Sequence, residues 1–149
     1  MYYKHILLPT DGSPLSRKAE KECFAFAKST GAKVTAIHVV PRFYLHLLAG
    51  TPKSVHTKIE KEHEEEAKKL AQKLISSVTA RAKEKSVDCD GIVVVGDYPY
   101  EEIIKSADTR KCDLIMMASH GRRGLSSLLL GSETAKVLLH SKVPVLVVR

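Results

Sequence analysis

No apolar stretch in these 149 residues comes near the length of a membrane-spanning helix; the longest, among them Ile92 to Val95 and Val143 to Val148, end after a few residues. Membrane insertion is not expected. The opening MYYKHILLPT lacks a signal-peptide layout, so a soluble, cytoplasmic protein is the expectation. Cysteine is scarce: Cys23, Cys89 and Cys112 are odd in number, widely spaced and form no CxxC pair, which points to thiols in or near the core. Aromatic residues make up only 5%, and the lysines and arginines are interleaved with glutamate. The net charge of +7 favours an anionic partner, yet with no basic arm and no base-reading motif nucleic acid is a poor candidate. The charge reads better as a solvated surface around a small anionic ligand.

Two familiar phosphate loops are missing as well. The dinucleotide fingerprint GxGxxG occurs nowhere, and a Walker loop is excluded because Ser132 follows Gly131 with no lysine between them. No nucleophile stands paired with a base, no metal-ligand cluster is visible, and His120 is the one candidate proton carrier in its loop. His56 and His63 share a helix face but sit two turns apart, too far to ligate one ion comfortably. Binding without efficient turnover is the expectation.

What is present is a regular alternation of strands and helices, in a chain that is 44% hydrophobic and long enough for one domain spanning residues 1–149. His5 to Pro9 reads as a strand ending in Pro-Thr-Asp-Gly-Ser, after which Ser13 and Pro14 mark a helix start. Leu15, Ala19, Cys23, Phe26 and Ala27 keep helical spacing through Ser29, and Thr30-Gly31 stops the helix. Lys33 to Val40 is a second strand closed by Pro41. Residues Pro41 to Ser54 are apolar yet bracketed by Pro and Gly, a long connection that reads either as a loop packed on its own domain or as a partner-facing patch.

A long helix from Lys53 to Lys85 follows, its apolar stripe drawn by Val55, Ile59, His63, Ala67, Leu70, Leu74, Val78 and Ala82. Glu64 to Lys68 and Glu65 to Lys69 have the favourable i,i+4 order, so its acidic cluster reads as a solvated face. Asp90 to Val95 is the third strand, followed by a short helix through Lys111. Leu114 to Ala118 is the fourth strand, a helix runs from Ser132 to about Ser141, and Val143 to Val148 is the fifth strand. Near-continuous apolar strands alternating with helices predict an α/β fold: an open five-stranded parallel sheet, Rossmann-like, with helices on both faces.

The two unusual loops, PTDGS after the first strand and ASHGRRG after the fourth, both lie at carboxyl ends. In an open sheet the ligand sits beyond those ends where strand order reverses, so making strands 1 and 4 neighbours gives the order 3-2-1-4-5. Gly121 and Gly131 have no Cβ, and Ser132 opens a helix; backbone donors, a hydroxyl and the positive dipole end together point to phosphate. Asp11 stands opposite, although a Pro-Thr-Asp-Gly aspartate is also an ordinary turn residue, and Gly124 serves a turn equally well.

The spacing Ala118-x2-Gly121-x9-Gly131-Ser132, together with PTDGS at Pro9 to Ser13, IHVVP at Ile37 to Pro41 and the closing VPVLVV, resembles the ATP-binding branch of the universal stress protein family over essentially the whole chain. That branch's loop is written G-x2-G-x9-G-[ST], and Ala118 replaces the first glycine. Alanine is a mild change if the position needs only a small residue, and a strained one if it needs positive φ.

The resemblance implies ATP, with AMP or ADP as the alternative nucleotides, and the same strand order. Pro9, Thr10, Asp11 and Val39 would form the base side, and Met117, Ala118, Ser119 and His120 would lie along adenine and ribose. Gly121, Gly131, Ser132 and the Glu133 amide would cradle the phosphates, and Asp11 would help hold Mg²⁺. Arg122 and Arg123 would pair with the γ-phosphate or point to solvent. A homodimer through the fifth strand, Val143 to Val148, and an unidentified protein partner complete the expectation, since an apolar edge strand invites pairing. A dimeric interaction module without nucleotide is the alternative within the same fold, and a slow ATPase is the enzymatic alternative.

Overall fold

The computed structural model of the chain describes residues 2–44, 50, 52–121 and 129–149. Nine elements follow in order: β1 (His5–Pro9), α1 (Pro14–Thr30), β2 (Lys33–Pro41), α2 (Lys53–Glu84), β3 (Cys89–Gly96), α3 (Pro99–Thr109), β4 (Leu114–Ala118), α4 (Ser132–His140) and β5 (Val145–Val148). The strands form one parallel sheet in the order β3-β2-β1-β4-β5, as the loop pairing requires.

The twofold alternation of strand side chains divides the core into two layers. Ile6 and Leu8 of β1, Val34 and Ala36 of β2, and Leu114 and Met116 of β4 face Cys23, Phe24 and Ala27 of α1 and Ile75, Val78 and Ala82 of α2. Leu7, Ile37, Ile115 and Met117 face the other way, against Ile103 and Ala107 of α3 and Val137 of α4. Each fully buried aliphatic side chain contributes about 1.5–3 kcal/mol, so both layers hold the sheet between the helices. Gly31, at φ 74°, ends α1 in the left-handed conformation that glycine adopts without strain.

Boundaries moved where hydrogen bonding rather than composition decides them. Strand β5 begins at Val145, two residues later than its apolar run, because Pro144 enters the ladder only through its carbonyl, which accepts from Ile115. The apolar stripe of α2 differs more. Ala71, Ile75, Val78 and Ala82 are its buried residues, while Val55, Ile59 and Leu70 are exposed, Leu70 by 65%. Only the second half of α2 overlies the sheet, so the first half has no core to set its register.

Phe43 stacks on His63 at 4.2 Å, and Tyr44 donates to Asp97 at 2.7 Å, tying the described start of the 41–54 connection to α2 and to the turn after β3. Residues 45–49 and 51 of that connection lie outside the described residues. Cys23 and Cys112 are buried, Cys89 is half-buried, and all three are free thiols. Burial pushes the Cys89 thiol up to about 12 and the Cys112 thiol up to about 11, which keeps both protonated at neutral pH. No described helix is long and apolar enough to cross a membrane.

Candidate functional site

Pro9 is the last ladder residue of β1 and pairs with Ile37, so Thr10 and Asp11 leave the sheet level with His38 and Val39. The Thr10 amide donates to the Ile37 carbonyl at 2.9 Å, carrying the ladder one residue further. His38 Nδ1 lies 2.7 Å from the Thr10 carbonyl, and because a carbonyl only accepts, that nitrogen carries the proton. Asp11 Oδ1 accepts from the Ser13 amide at 2.9 Å, the Asx-turn geometry its sequence context suggests. Ser13 in turn caps α1, its hydroxyl accepting from the Ser16 amide at 3.2 Å, with Pro14 supplying the φ of the first helical turn. The first loop is therefore held at Thr10, Asp11 and Ser13.

Across the sheet's reversal point, β4 runs out at Ala118. A Cβ placed on Gly121 would collide with Asp11 Oδ2, so the missing side chain leaves room for the Asp11 carboxylate beside the backbone at 121. A Cβ on Gly131 would lie 3.1 Å from the Ser119 carbonyl and 3.3 Å from His120 Cα, tighter than side chains ordinarily pack. Neither glycine has positive φ; both serve close approach. The Gly131 amide donates to the Ser119 carbonyl at 2.7 Å, and the Thr134 hydroxyl donates to the Ala118 carbonyl at 2.9 Å. These two bonds pin the start of α4 to the end of β4. The amides of Ser132, Glu133 and Thr134 are then the first-turn donors for which helix geometry provides no carbonyl.

Ala118 has a plain answer. Positive φ among the described non-glycine residues occurs at Ser86 and Lys111, so alanine at 118 carries no backbone strain. Its methyl group is buried in the α1-side core and Met117 is buried in the α3-side core, which leaves main-chain atoms as what these two residues offer a ligand. Ser119 is buried, and its hydroxyl lies 2.9 Å from His120 Nδ1. His120 Nε2 is buried without a hydrogen-bond partner among the described residues, a polar atom that a ligand would satisfy. Val39 is half-buried beside the α3-side core and Ser132 is exposed. The Glu133 carboxylate turns toward α3, where Oε2 accepts from the Tyr100 amide at 2.8 Å.

The structure thus brings Asp11 to face Gly121, with Ser119, His120 and Gly131 packed together, while the Thr10 hydroxyl turns inward to Ser16 at 3.3 Å. Arg122, Arg123 and Gly124 lie outside the described residues. No cluster of three or more His, Cys, Asp or Glu residues suited to a metal occurs among the described residues. His38, Thr134 and Tyr100 escape a motif-based reading, although a histidine inside an aliphatic strand and a threonine in the first turn of a helix are visible signals. A separate open groove of about 630 Å³ runs between α1 and β5, lined by Phe26, Met116, Leu146 and Val148 with Lys18 and Arg149 at its margin.

The universal stress protein family model matches residues 2–149. The chain is 35% identical over 156 residues to universal stress protein MJ0577 of Methanocaldococcus jannaschii, covering 99% of this chain and 95% of that one. The solved structure of MJ0577 superimposes with a TM-score of 0.84 at 34% identity, covering 99% of this chain and 96% of that one. Universal stress protein MJ0531 of the same organism is 36% identical over 148 residues, with 99% and 82% covered. A universal stress protein from Archaeoglobus fulgidus, solved in complex with dAMP, shares the fold at a TM-score of 0.67 and 19% identity, with 100% of both chains covered. Sheet order, the Asp11–Gly121 approach and a family match along nearly every residue converge: this chain belongs to the universal stress protein family.

Proposed function

We propose that the chain binds an adenine nucleotide, ATP foremost with AMP or ADP as alternatives, in the crevice between the loops after β1 and β4. One observation carries the reading: Asp11 Oδ2 packs against Gly121 beside the first turn of α4, at the point where strand order reverses. Pro9, Thr10, Asp11 and Val39 hold the base, chiefly through backbone atoms. Met117 and Ala118 add main chain, and Ser119 and His120 meet the ribose, whose hydroxyls can satisfy the orphaned His120 Nε2 in either tautomer. Gly121, Gly131, Ser132 and the Glu133 amide receive the phosphates at the positive end of α4. When Mg²⁺ is bound it neutralises phosphate charge, and Asp11 would hold it jointly with phosphate and water oxygens, since one carboxylate falls short of its octahedral demand.

The protein acts as a cytoplasmic, single-domain, dimeric stress-response regulator with little or no turnover, in which bound nucleotide sets the form that protein partners recognise. The dimer forms through β5 and its flanks, Val143 to Val148, where the outer edge lacks a ladder partner among the described residues and Leu146 is 38% exposed. The related Archaeoglobus fulgidus protein solved with dAMP supports an adenine ligand on this fold. A slow ATPase is the second reading, favoured by the unpartnered Nε2 of His120.

Thermal unfolding with added Mg-ATP tests the proposal. A ligand at a hundred times its Kd stabilises by about 2.7 kcal/mol. For a chain of this size that raises Tm by roughly 5–10 °C. No shift with any adenine nucleotide would leave the dimeric interaction module as the function.

A further inference from the structure

Helix α3 starts without a cap of its own. Its N-cap residue, Tyr98, makes no side-chain capping bond, and Pro99 in the first turn has no amide hydrogen. The helix's first free donor is the Tyr100 amide, and its acceptor comes from 33 residues away: Glu133 Oε2, at 2.8 Å. Glu133 is the second residue of α4, so the residue that presents an amide at the start of one helix lends its carboxylate to the start of the next. Lys136 Nζ lies 3.5 Å from the other carboxylate oxygen and 5.4 Å from the centre of the Tyr100 ring, and the His140 ring stacks obliquely on that ring at 5.6 Å. The joint between the helices is thus built from a carboxylate, an amide, an ammonium and two rings.

A carboxylate at the second position of a helix is ordinarily drawn to that helix's own unpaired amides by the dipole. In that place it would compete with a phosphate. The Tyr100 amide and Lys136 instead draw the Glu133 carboxylate toward α3.

We propose that Glu133 is a positioning residue for the phosphate end of the site: by supplying the cap that α3 lacks, its carboxylate fixes the first turn of α4 and holds its own charge away from the phosphate donors. This inference rests on the nucleotide reading above. Lys136, which pairs with Glu133 and overlies Tyr100, is the counter-charge beside the carboxylate on its α3 side.

The test compares the parent with Glu133→Ala and Glu133→Gln, measuring the Kd of Mg-ATP and of adenosine by calorimetry and hydrogen exchange at the Tyr100 amide. Glutamine keeps an acceptor for Tyr100 and removes the charge. We expect Glu133→Ala to weaken Mg-ATP about tenfold, the scale of one hydrogen bond to a charged group, and to leave adenosine within about twofold. Exchange at Tyr100 should quicken in the alanine variant, and glutamine should restore both readouts. Unchanged or tighter Mg-ATP binding by Glu133→Ala would overturn the inference. So would equal losses for Mg-ATP and adenosine, or weaker Mg-ATP binding with Tyr100 exchange unaltered. A parent that binds none of Mg-ATP, ADP and AMP, whether or not it binds adenosine, overturns the nucleotide reading itself and this inference with it.

Discussion

Among single residues, Glu20 is the most exacting. It is 2% exposed on α1, and Arg81 of α2 grips it with two bonds, Nε to Oε1 at 2.6 Å and a terminal nitrogen to Oε2 at 2.9 Å. Arg17 approaches the same carboxylate at 3.8 Å. Removing Arg81, whose side chain is 23% exposed, leaves the buried Glu20 carboxylate without its clamp, so Arg81→Ala should cost about 3 kcal/mol, the low end for a buried pair, in urea unfolding. A loss below about 1 kcal/mol would show that water or Arg17 replaces the clamp. Nothing in KAEKEC or in TARAKE marks these two residues, 61 apart, as a buried pair; each reads as one more charge on a solvated face. Asp11, Gly121 and Gly131 were legible because turn and glycine chemistry is local. The destination of the Met117 and Ala118 side chains was not, since only the assembled sheet determines which face each one takes.

Elements were legible in proportion to how much of each one is buried. The five strands announce themselves as apolar runs because helices cover both faces of the sheet, and α1 and α4 start where Ser13 and Ser132 say they should. The long helix α2 is the counterexample: its apolar residues spread over more than one face, and only contact with the sheet selects Ala71, Ile75, Val78 and Ala82 as the inward set. Strand β5 carries the prediction at this scale. It pairs with β4 on one side, and Leu146 and Val148 border the open groove beside α1. If β5 is the dimer seam, Val147→Lys places an ammonium where it would have to be desolvated. Light scattering should then report a dimer for the parent and a monomer for the variant. A dimer mass unchanged by the substitution would move the interface elsewhere.

For the molecule as a whole, the order β3-β2-β1-β4-β5 is what turns separate loops into a site. It brings the carboxyl ends of β1 and β4 side by side, gathers the positive ends of α1, α3 and α4 along one edge, and sets Asp11 against Gly121 there. A net charge of +7 makes the chain as a whole attractive to an anion such as a nucleotide triphosphate. The same order follows from two loops in the sequence alone, because a crevice needs both walls. Whether this crevice holds ATP is open to direct measurement. The most direct measurement is to denature freshly purified protein and identify any released nucleotide by chromatography, with Gly131→Val run alongside. Valine there presses on the Ser119 carbonyl and His120 Cα, spoiling the close approach that seats α4. Adenine nucleotide is expected from the parent and none from the variant; equal amounts from both would contradict the site, and a non-adenine nucleotide from the parent would contradict the ligand.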